Sequence, residues 1–381
     1  MKLRIGILGT RGIPNNYGGF EQISAYLAQG LVQRGHEVTV YNGHRHPYQL
    51  TSWNGVNIVH CYNPEHLMGM AGQFIYDFNC IRDAGKRSFD VILMMGYTSS
   101  SIWGRFYPRN TVVISNMDGL EWKRTKYSQP VQQFLLFAER LAVKFSDGYI
   151  ADSLAIQKYL RDKYTISPAY IPYAAEIIPF ADDSVCNEYR LIRYNYMLLI
   201  ARMEPENNIE AILSGFTKSS SAQHFVVVGD ISNKHGKYLV NKFKSDKRIL
   251  FAGPVFDLQK LHSLRTFSSL YFHGHSVGGT NPSLLEAMAS KVYIVAHDNA
   301  FNRHILEKDA HYFSTWQDIK KIIEEDILSG KKEAAIANNF NKIEHRYNWN
   351  RIVTKYEQFI LSCCNSATVE EHIYHPGYIG K

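Results

Sequence analysis

Residues Tyr271–Ser290 read YFHGHSVGGTNPSLLEAMAS, an apolar run, a glycine-rich loop and an apolar helix in that order. The short run of large apolar residues ending at His273 reads as a strand buried on both faces. Asn281 suits a helix N-cap. Pro282 suits the first helical position, where its fixed φ is already helical and its missing N–H is no loss. Leu284, Leu285, Ala287 and Met288 then give the helix a buried side. Gly278 and Gly279 leave room for a ligand to touch backbone, and the unpaired amides of the first helical turn suit phosphate oxygens. Glu286 is the only carboxylate in the stretch. Helical side chains lean toward the N-terminus, so it can reach hydroxyls of a ligand seated on the loop. The alternative is a carboxylate that merely complements the helix dipole.

The same grammar recurs along the chain. In the first half LRIGILG, HEVTVYNG, VNIVHCY, FDVILMMGY, NTVVISNMDG and GYIADS read as strands. GGFEQISAYLAQGLVQRG and PVQQFLLFAERLAVKFSDG read as helices. AYIPYAAEIIPFADDSV breaks the pattern with prolines and acids and reads as a connection. A second series follows: NYMLLIARMEPENN, IEAILSGF, QHFVVVGD, RILFAGPV and LQKLHSLRTFSSLYF precede the opening stretch, and KVYIVAHDNAFN follows it. Strands alternating with helices form parallel sheets with right-handed crossovers, and ligands bind outside the carboxyl ends of the strands. The pattern predicts two doubly wound α/β domains, residues 1–178 and 190–345, a long amphipathic helix within 346–365, and an aperiodic tail over 366–381.

The bulk numbers agree. The 381 residues exceed one ordinary core. An apolar share of 45% with 20% charged is a soluble globular mixture. The net charge of +7 suits anionic ligands or an anionic membrane surface. No long basic run, zinc spacing or RNA-recognition signature points to nucleic acid. Five scattered cysteines without a CxxC predict a reduced, cytoplasmic protein. MKLRIGILGTRGIP does not read as a signal peptide, and no stretch approaches the roughly 18 apolar residues of a membrane span. No HExxH or similar pair predicts a metal site.

Six further features carry chemistry. Gly6, Gly9 and Gly12 are spaced GxxGxxG rather than GxGxxG, and the second strand ends VTVYNGH without an acid, so a nicotinamide oxidoreductase is a remote alternative. Gly18 and Gly19 precede a helix, where their amides suit an anion or simply allow a tight turn. Arg202 in ARMEPENN leaves a strand at its carboxyl end. It suits a diphosphate through paired hydrogen bonds, or pairs with Glu204 or Glu206 at the surface. Asp118 ends the strand of VVISNMDG, facing the ligand side or serving as an ordinary turn residue. His273 and His275 lie beside the glycine loop, lining the site or packing. Arg82, Lys86, Arg87, Lys123, Arg124 and Lys126 suit anionic lipid or a solvated face.

Taken together, YGGFE, ARMEPENNIE, VVVGD, FAGPV, GGTNPSLLEAMA and YNWNRIVTKYEQFI make the chain resemble glycosyltransferase family 4 over nearly its whole length. These are retaining sugar-nucleotide transferases of the GT-B fold. GTRGIPNNYGGFE and NMDGLEWKR resemble, more narrowly, bacterial rhamnosyltransferases of cell-surface polysaccharide assembly. The resemblance implies two Rossmann-like domains facing across a cleft, the first binding acceptor and the second donor, with the last helix crossing back onto the first. It implies catalytic roles for Asp118, Arg202 and Glu286. It implies a donor site of Gly18, Gly19, Arg202, Asn207, Val255, His275, Gly279, Thr280, Asn281 and Glu286. Within that site Gly19 would lie against the diphosphate, Arg202 would pair with it, and Glu286 would hold the ribose. It implies a dTDP- or UDP-sugar donor, a saccharide acceptor that is lipid-linked, no cofactor or metal, no nucleic acid, and a cytoplasmic protein peripheral on the inner membrane face. The family often has a second glutamate where Gly278 stands, a lysine at Asn207 and a histidine at Asp118. Those departures keep a non-catalytic nucleotide-sugar-binding relative, in a polysaccharide assembly complex, as the alternative.

Overall fold

The computed structural model describes residues 1–16, 18–117, 119–123, 127–325 and 329–373, apart from the side chains of 329–330 and 366–373. The chain divides into two compact units. Unit 1 is Met1–Pro172 with the helix Trp349–Ile373, and unit 2 is Tyr173–Asn348.

Unit 1 is built on eight strands: β1 Arg4–Leu8, β2 Glu37–Gly43, β3 Ser52–Trp53, β4 Val56–Cys61, β5 Val91–Met94, β6 Val112–Asn116, β7 Gly148–Ala151 and β8 Ala169–Tyr170. Their order in the sheet is β3-β4-β2-β1-β5-β6-β7-β8. All neighbours are parallel except β3 with β4. Ile5 and Ile7 of β1, Val38 and Val40 of β2 and Val91 of β5 are fully buried, as continuous apolar strands under helices on both faces must be. Gly12 sits at φ +122, where a Cβ would lie 2.4 Å from Asn42 Oδ1. That oxygen accepts the Ile13 N–H at 2.9 Å. Only glycine fits this turn.

The helix Trp349–Ile373 packs on the helix Gly19–Gln33. Trp349 stacks on Tyr26 at 4.2 Å. The Arg34 guanidinium donates to Asn350 and Thr354 and pairs with Glu357 at 3.1 Å. The helix also runs past the boundary expected at 365. No glycine or proline interrupts residues 366–373, and the backbone ladder needs no amphipathic period to continue.

Unit 2 holds β9 Tyr196–Ile200, β10 His224–Val228, β11 Ile249–Gly253, β12 Leu270–His273, β13 Ile294–His297 and β14 His311–Phe313, all parallel. The order is β11-β10-β9-β12-β13-β14. Counted within the unit this is the dinucleotide-fold order, and it reverses between β9 and β12. Met197, Leu199, Phe225, Val227, Phe272 and Val295 bury one sheet face against Ile209, Leu213 and Phe216 of the helix Ile209–Thr217. Two doubly wound parallel units are thus present, as the alternating pattern predicts. Among the described residues no helix is long and apolar enough to cross a membrane.

Candidate functional site

The reversal between β9 and β12 leaves a crevice at the carboxyl ends of these strands, and the loops there are tied tightly together. After β9 the chain passes Arg202 into the short turn Pro205–Asn207. After β12 it passes Gly274, where a Cβ would lie 1.9 Å from the Asn207 carbonyl oxygen, so only glycine fits. Ser276 donates its N–H and its hydroxyl to the Glu206 carbonyl, at 3.0 and 2.7 Å. Asn208 Nδ2 donates to the Gly274 carbonyl at 2.8 Å.

Asn207 fixes a histidine tautomer. Its Nδ2 donates to the Arg202 carbonyl at 2.7 Å, so its Oδ1 faces His275 Nδ1 at 2.8 Å. That nitrogen must carry the proton, which makes Nε2 the acceptor of the neutral ring. The same Nε2 lies 3.2 Å from where a Cβ on Gly278 would stand, and Gly278 sits at φ +122. A side chain at 278 is strained by the backbone conformation and crowds His275 Nε2.

The helix Pro282–Ala289 begins as the sequence predicts. Asn281 Oδ1 accepts the Ser283 N–H at 2.9 Å, and Pro282 takes the first helical position. Thr280 is buried, while Gly279 and Asn281 are partly open. Glu286 does not stand idle. Its Oε2 meets Arg265 Nη2 at 2.6 Å, and the guanidinium, 3% exposed against 22% for Glu286, also donates to Ser283 Oγ at 3.2 Å. Arg265 Nε is buried without a hydrogen-bond partner. Arg265 was not among the expected site residues. Its signal was its place on the apolar side of LQKLHSLRT, one turn after Leu261, where a charge demands an acid.

Arg202 is exposed, and its guanidinium makes no ion pair with Glu204 or Glu206 among the described residues. The surface-pair alternative is therefore not realised. His273 is a core residue rather than part of an open lining, at 4% exposure. Burial holds its imidazole well below the ordinary value, so the ring is neutral, and its Nε2 has no hydrogen-bond partner. Asn299 and Asn302 both donate to the His275 carbonyl, at 2.9 and 3.2 Å, tying the end of β13 into the same loop. Val255 is half-buried on the loop after β11, two strands out from the reversal.

In unit 1 the sheet order reverses between β1 and β5. Gly18 is the N-cap of Gly19–Gln33 with an extended backbone. Glu21, buried in the first turn, accepts the Arg11 N–H at 2.9 Å and the Thr10 hydroxyl at 3.3 Å, which ties the loop after β1 to the helix start. Asp118, Arg124 and Lys126 lie outside the described residues. The structure thus gathers Arg202, Asn207, His275, Gly278–Asn281 and Glu286 at one sheet end in unit 2, and Gly18 and Gly19 at the corresponding end in unit 1.

Residues 191–342 match the family model "Glycosyl transferases group 1", and residues 2–176 match a "Domain of unknown function (DUF1972)". No curated protein matches the sequence. Among solved structures the chain is similar to a sucrose-phosphate synthase from Thermosynechococcus elongatus, at 14% identity and TM-score 0.79 over 96% of this chain and 100% of that one. It is similar to HepE of Anabaena in complex with UDP and glucose, at 16% identity and TM-score 0.72 over 95% and 100%. It is similar to an α,α-trehalose 6-phosphate synthase from Burkholderia multivorans, at 10% identity and TM-score 0.73 over 100% of both. At such identities the likeness shows the fold. Unit 2 therefore carries a glycosyl transferases group 1 domain, and the chain has the GT-B fold of the glycosyltransferases it is similar to.

Proposed function

We propose that the chain is a retaining glycosyltransferase of family 4 that moves a sugar, L-rhamnose, from a dTDP- or UDP-sugar to a lipid-linked saccharide at the inner membrane face, in cell-surface polysaccharide synthesis. One observation carries the reading. At the reversal of the second sheet the loop after β9 carries an exposed arginine, Arg202, and the loop after the neighbouring β12 opens at Gly279 into a helix N-terminus that carries Glu286 inside it. That is a place for a diphosphate with a hydroxyl-bearing group attached. HepE, solved with UDP and glucose, supports a nucleotide sugar as the ligand class.

In this reading residues 1–178 bind the acceptor and 190–345 the donor. Arg202 pairs with the diphosphate, the amide N–H groups of Thr280 and Asn281 donate to its oxygens, and Glu286 accepts a hydrogen bond from a ribose hydroxyl. Gly18 and Gly19 approach the diphosphate through backbone, and Asn207, Val255 and His275 complete the lining. The bond from the anomeric carbon to the diphosphate breaks on the face where the acceptor oxygen bonds. The acceptor's proton passes to the departing phosphate, with Asp118 orienting that hydroxyl. The protein's work is to hold the reactants together and stabilise charge growing on the leaving group. A 6-deoxy sugar suits a loop that offers Gly278 and His275 where relatives often carry a carboxylate.

The test incubates the purified chain with dTDP-rhamnose or UDP-sugars and a lipid-linked saccharide, and measures release of nucleoside diphosphate. Arg202→Ala should lower kcat/KM by about 100-fold, the loss of roughly 3 kcal/mol of charge-assisted bonding. Activity that survives loss of both Arg202 and Glu286 overturns the site. Tight donor binding without turnover supports the non-catalytic reading instead, and stabilisation by NAD but by no nucleoside diphosphate replaces the class altogether.

A further inference from the structure

We infer that unit 1 carries a bilayer-docking face, built on the helix Glu65–Met68, the turn Gly69–Ala71 and the helix Gly72–Ala84, and that its occupant is an anionic lipid surface. The inference rests on the lipid-linked acceptor of the proposed function and names the surface that would reach it.

Single exposed apolar residues are ordinary, but a contiguous set is not. Leu67 and Met70 are each 72% exposed, and Phe106 is 58% exposed. Met68 and Ile75 are exposed as well. The set lies on consecutive elements and is joined to Phe106 by ring contacts. Leu67, Met68 and Met70 lead directly into Gly72–Ala84, on which Ile75 and Phe78 lie one turn apart. The Phe78 ring meets Phe106 edge-on at 5.5 Å and Trp103 at 4.7 Å. Phe74 meets Phe134 at 5.8 Å, which extends the face to the helix Gln129–Phe145, where Val131 and Phe137 are exposed.

The protruding turn is pinned from behind, so its apolar side chains are held outward. Arg11 grips both oxygens of Glu65, Nε at 3.1 Å and Nη2 at 2.6 Å. Asn63 Oδ1 accepts the Glu65 N–H at 2.9 Å. A Cβ on Gly72 would lie 2.4 Å from Glu65 N, so the two helices are locked at close range.

Charge selects the occupant. The carboxylates of this region are engaged: Glu65 with Arg11, Asp77 buried with Ser99 and Gln73, and Asp83 with Arg87 and the Tyr41 hydroxyl. Arg82, Arg105 and Arg109 are exposed and make no ion pair among the described residues. Arg105 directly precedes Phe106, and Arg82 lies two turns along the helix from Ile75. An apolar stripe with an indole behind it, cations at its edge and no free acid among the described residues matches the boundary between acyl chains and anionic headgroups.

The test sediments the full chain with vesicles of phosphatidylglycerol and phosphatidylcholine, and with phosphatidylcholine alone. Binding is expected on the anionic vesicles only, weakened by salt. Replacing Leu67, Met70 and Phe106 together by serine should reduce it to background. Replacing Arg82, Arg105 and Arg109 together by alanine should weaken it about 100-fold, about fivefold for each arginine. Far-ultraviolet circular dichroism and nucleoside-diphosphate release with a water-soluble acceptor should stay at wild-type level in both variants. No binding to either vesicle, equal binding to both, or binding untouched by either variant overturns the inference. So does a dimer in ultracentrifugation that the serine variant dissociates, because the face would then serve a second copy. Vesicle binding without transfer on any acceptor sinks the proposed function and leaves this surface standing. Transfer to a water-soluble acceptor without vesicle binding does the reverse.

Discussion

Replacing Glu286 by glutamine is the direct test of its role, and the geometry around Arg265 shows why that change alone misleads. The pair is close, at 2.6 Å, and one-sided in burial, with Arg265 3% and Glu286 22% exposed. Glu286 supplies the carboxylate within ion-pair distance of that guanidinium among the described residues. Glu286→Gln leaves a buried cation with the Ser283 hydroxyl at 3.2 Å and the Tyr271 ring at 5.9 Å. Removing one partner of a buried pair costs about 3–5 kcal/mol, and the residual exposure of Glu286 favours the low end, about 3 kcal/mol. A loss of activity in this variant therefore mixes a destabilised unit 2 with any lost contact to donor.

The variant Arg265→Met with Glu286→Gln separates the two. It removes the buried charge with its partner, so stability should return to within about 1 kcal/mol of wild type. A carboxylate bonded to a ribose hydroxyl contributes about 1.5–3 kcal/mol, or roughly 10- to 100-fold in donor affinity. If Glu286 reads the donor, the double variant is stable yet binds dTDP or UDP that much more weakly. Stability is read by hydrogen exchange at the amides of the helix Pro282–Ala289, because two units need not unfold together. Affinity is read by titration calorimetry. Wild-type affinity in the double variant refutes a donor role and leaves Glu286 as the counterion of Arg265. An unchanged exchange rate in Glu286→Gln refutes the stability argument itself.

Gly278→Glu should not add a donor contact. At φ +122 and 3.2 Å from His275 Nε2 the new side chain costs roughly 1–3 kcal/mol of local strain, and tighter donor binding in this variant would contradict it. Burial raises the Asp77 carboxyl from 3.8 to about 7, so the folded chain keeps a proton that the unfolded chain loses in that window. Its contribution is full below pH 3.8 and falls as pH rises through 7. Asp77→Asn should flatten that decline, and urea midpoints at pH 5 and pH 8 with an unchanged difference would show the slope comes from elsewhere. His273 runs the other way: its ring is held well below 6.5, so stability is present above that value and lost as pH falls through it. His273→Phe should remove this acid-side loss, and equal acid sensitivity in the variant would discard the assignment.

Local chemistry was legible and long-range chemistry was not. YFHGHSVGGTNPSLLEAM states its strand, loop, cap and helix within eighteen consecutive residues, and each appears where expected. The reversal between β9 and β12 was not readable, because sequence orders the elements and only crossover packing decides neighbours. Arg265 and Glu286 are 21 residues apart on separate helices, so neither announces the other. The surface pairing that stood as the alternative for Arg202 is not realised for a related reason. Glu206 is buried in its own turn, while the carbonyl of Arg202 holds Asn207. Nothing within EHLMGMAG marks its leucine and methionines as exposed. Their exposure follows from the Arg11–Glu65 clamp, formed across 54 residues.

The departures at Asn207 and Gly278 look independent in sequence, and the structure makes them one feature. Asn207 holds His275 by Nδ1, which turns Nε2 toward Gly278, and the φ of Gly278 gives that nitrogen its room. Asn207 is itself held by the carbonyl of Arg202. One chain of contacts thus links the proposed diphosphate partner to the loop proposed to meet the sugar. A lysine at 207 would surrender the acceptor that fixes His275, and a glutamate at 278 would meet the imidazole. Restoring either alone breaks the arrangement, so the two positions must change together with His275 for a carboxylate to be seated there. In the proposed enzyme this places sugar recognition on His275 Nε2 and the loop backbone. Groups of that kind, without a carboxylate's charge, grip a sugar less tightly and discriminate by shape and by unpaired polar atoms, which favours a donor that offers one hydroxyl fewer.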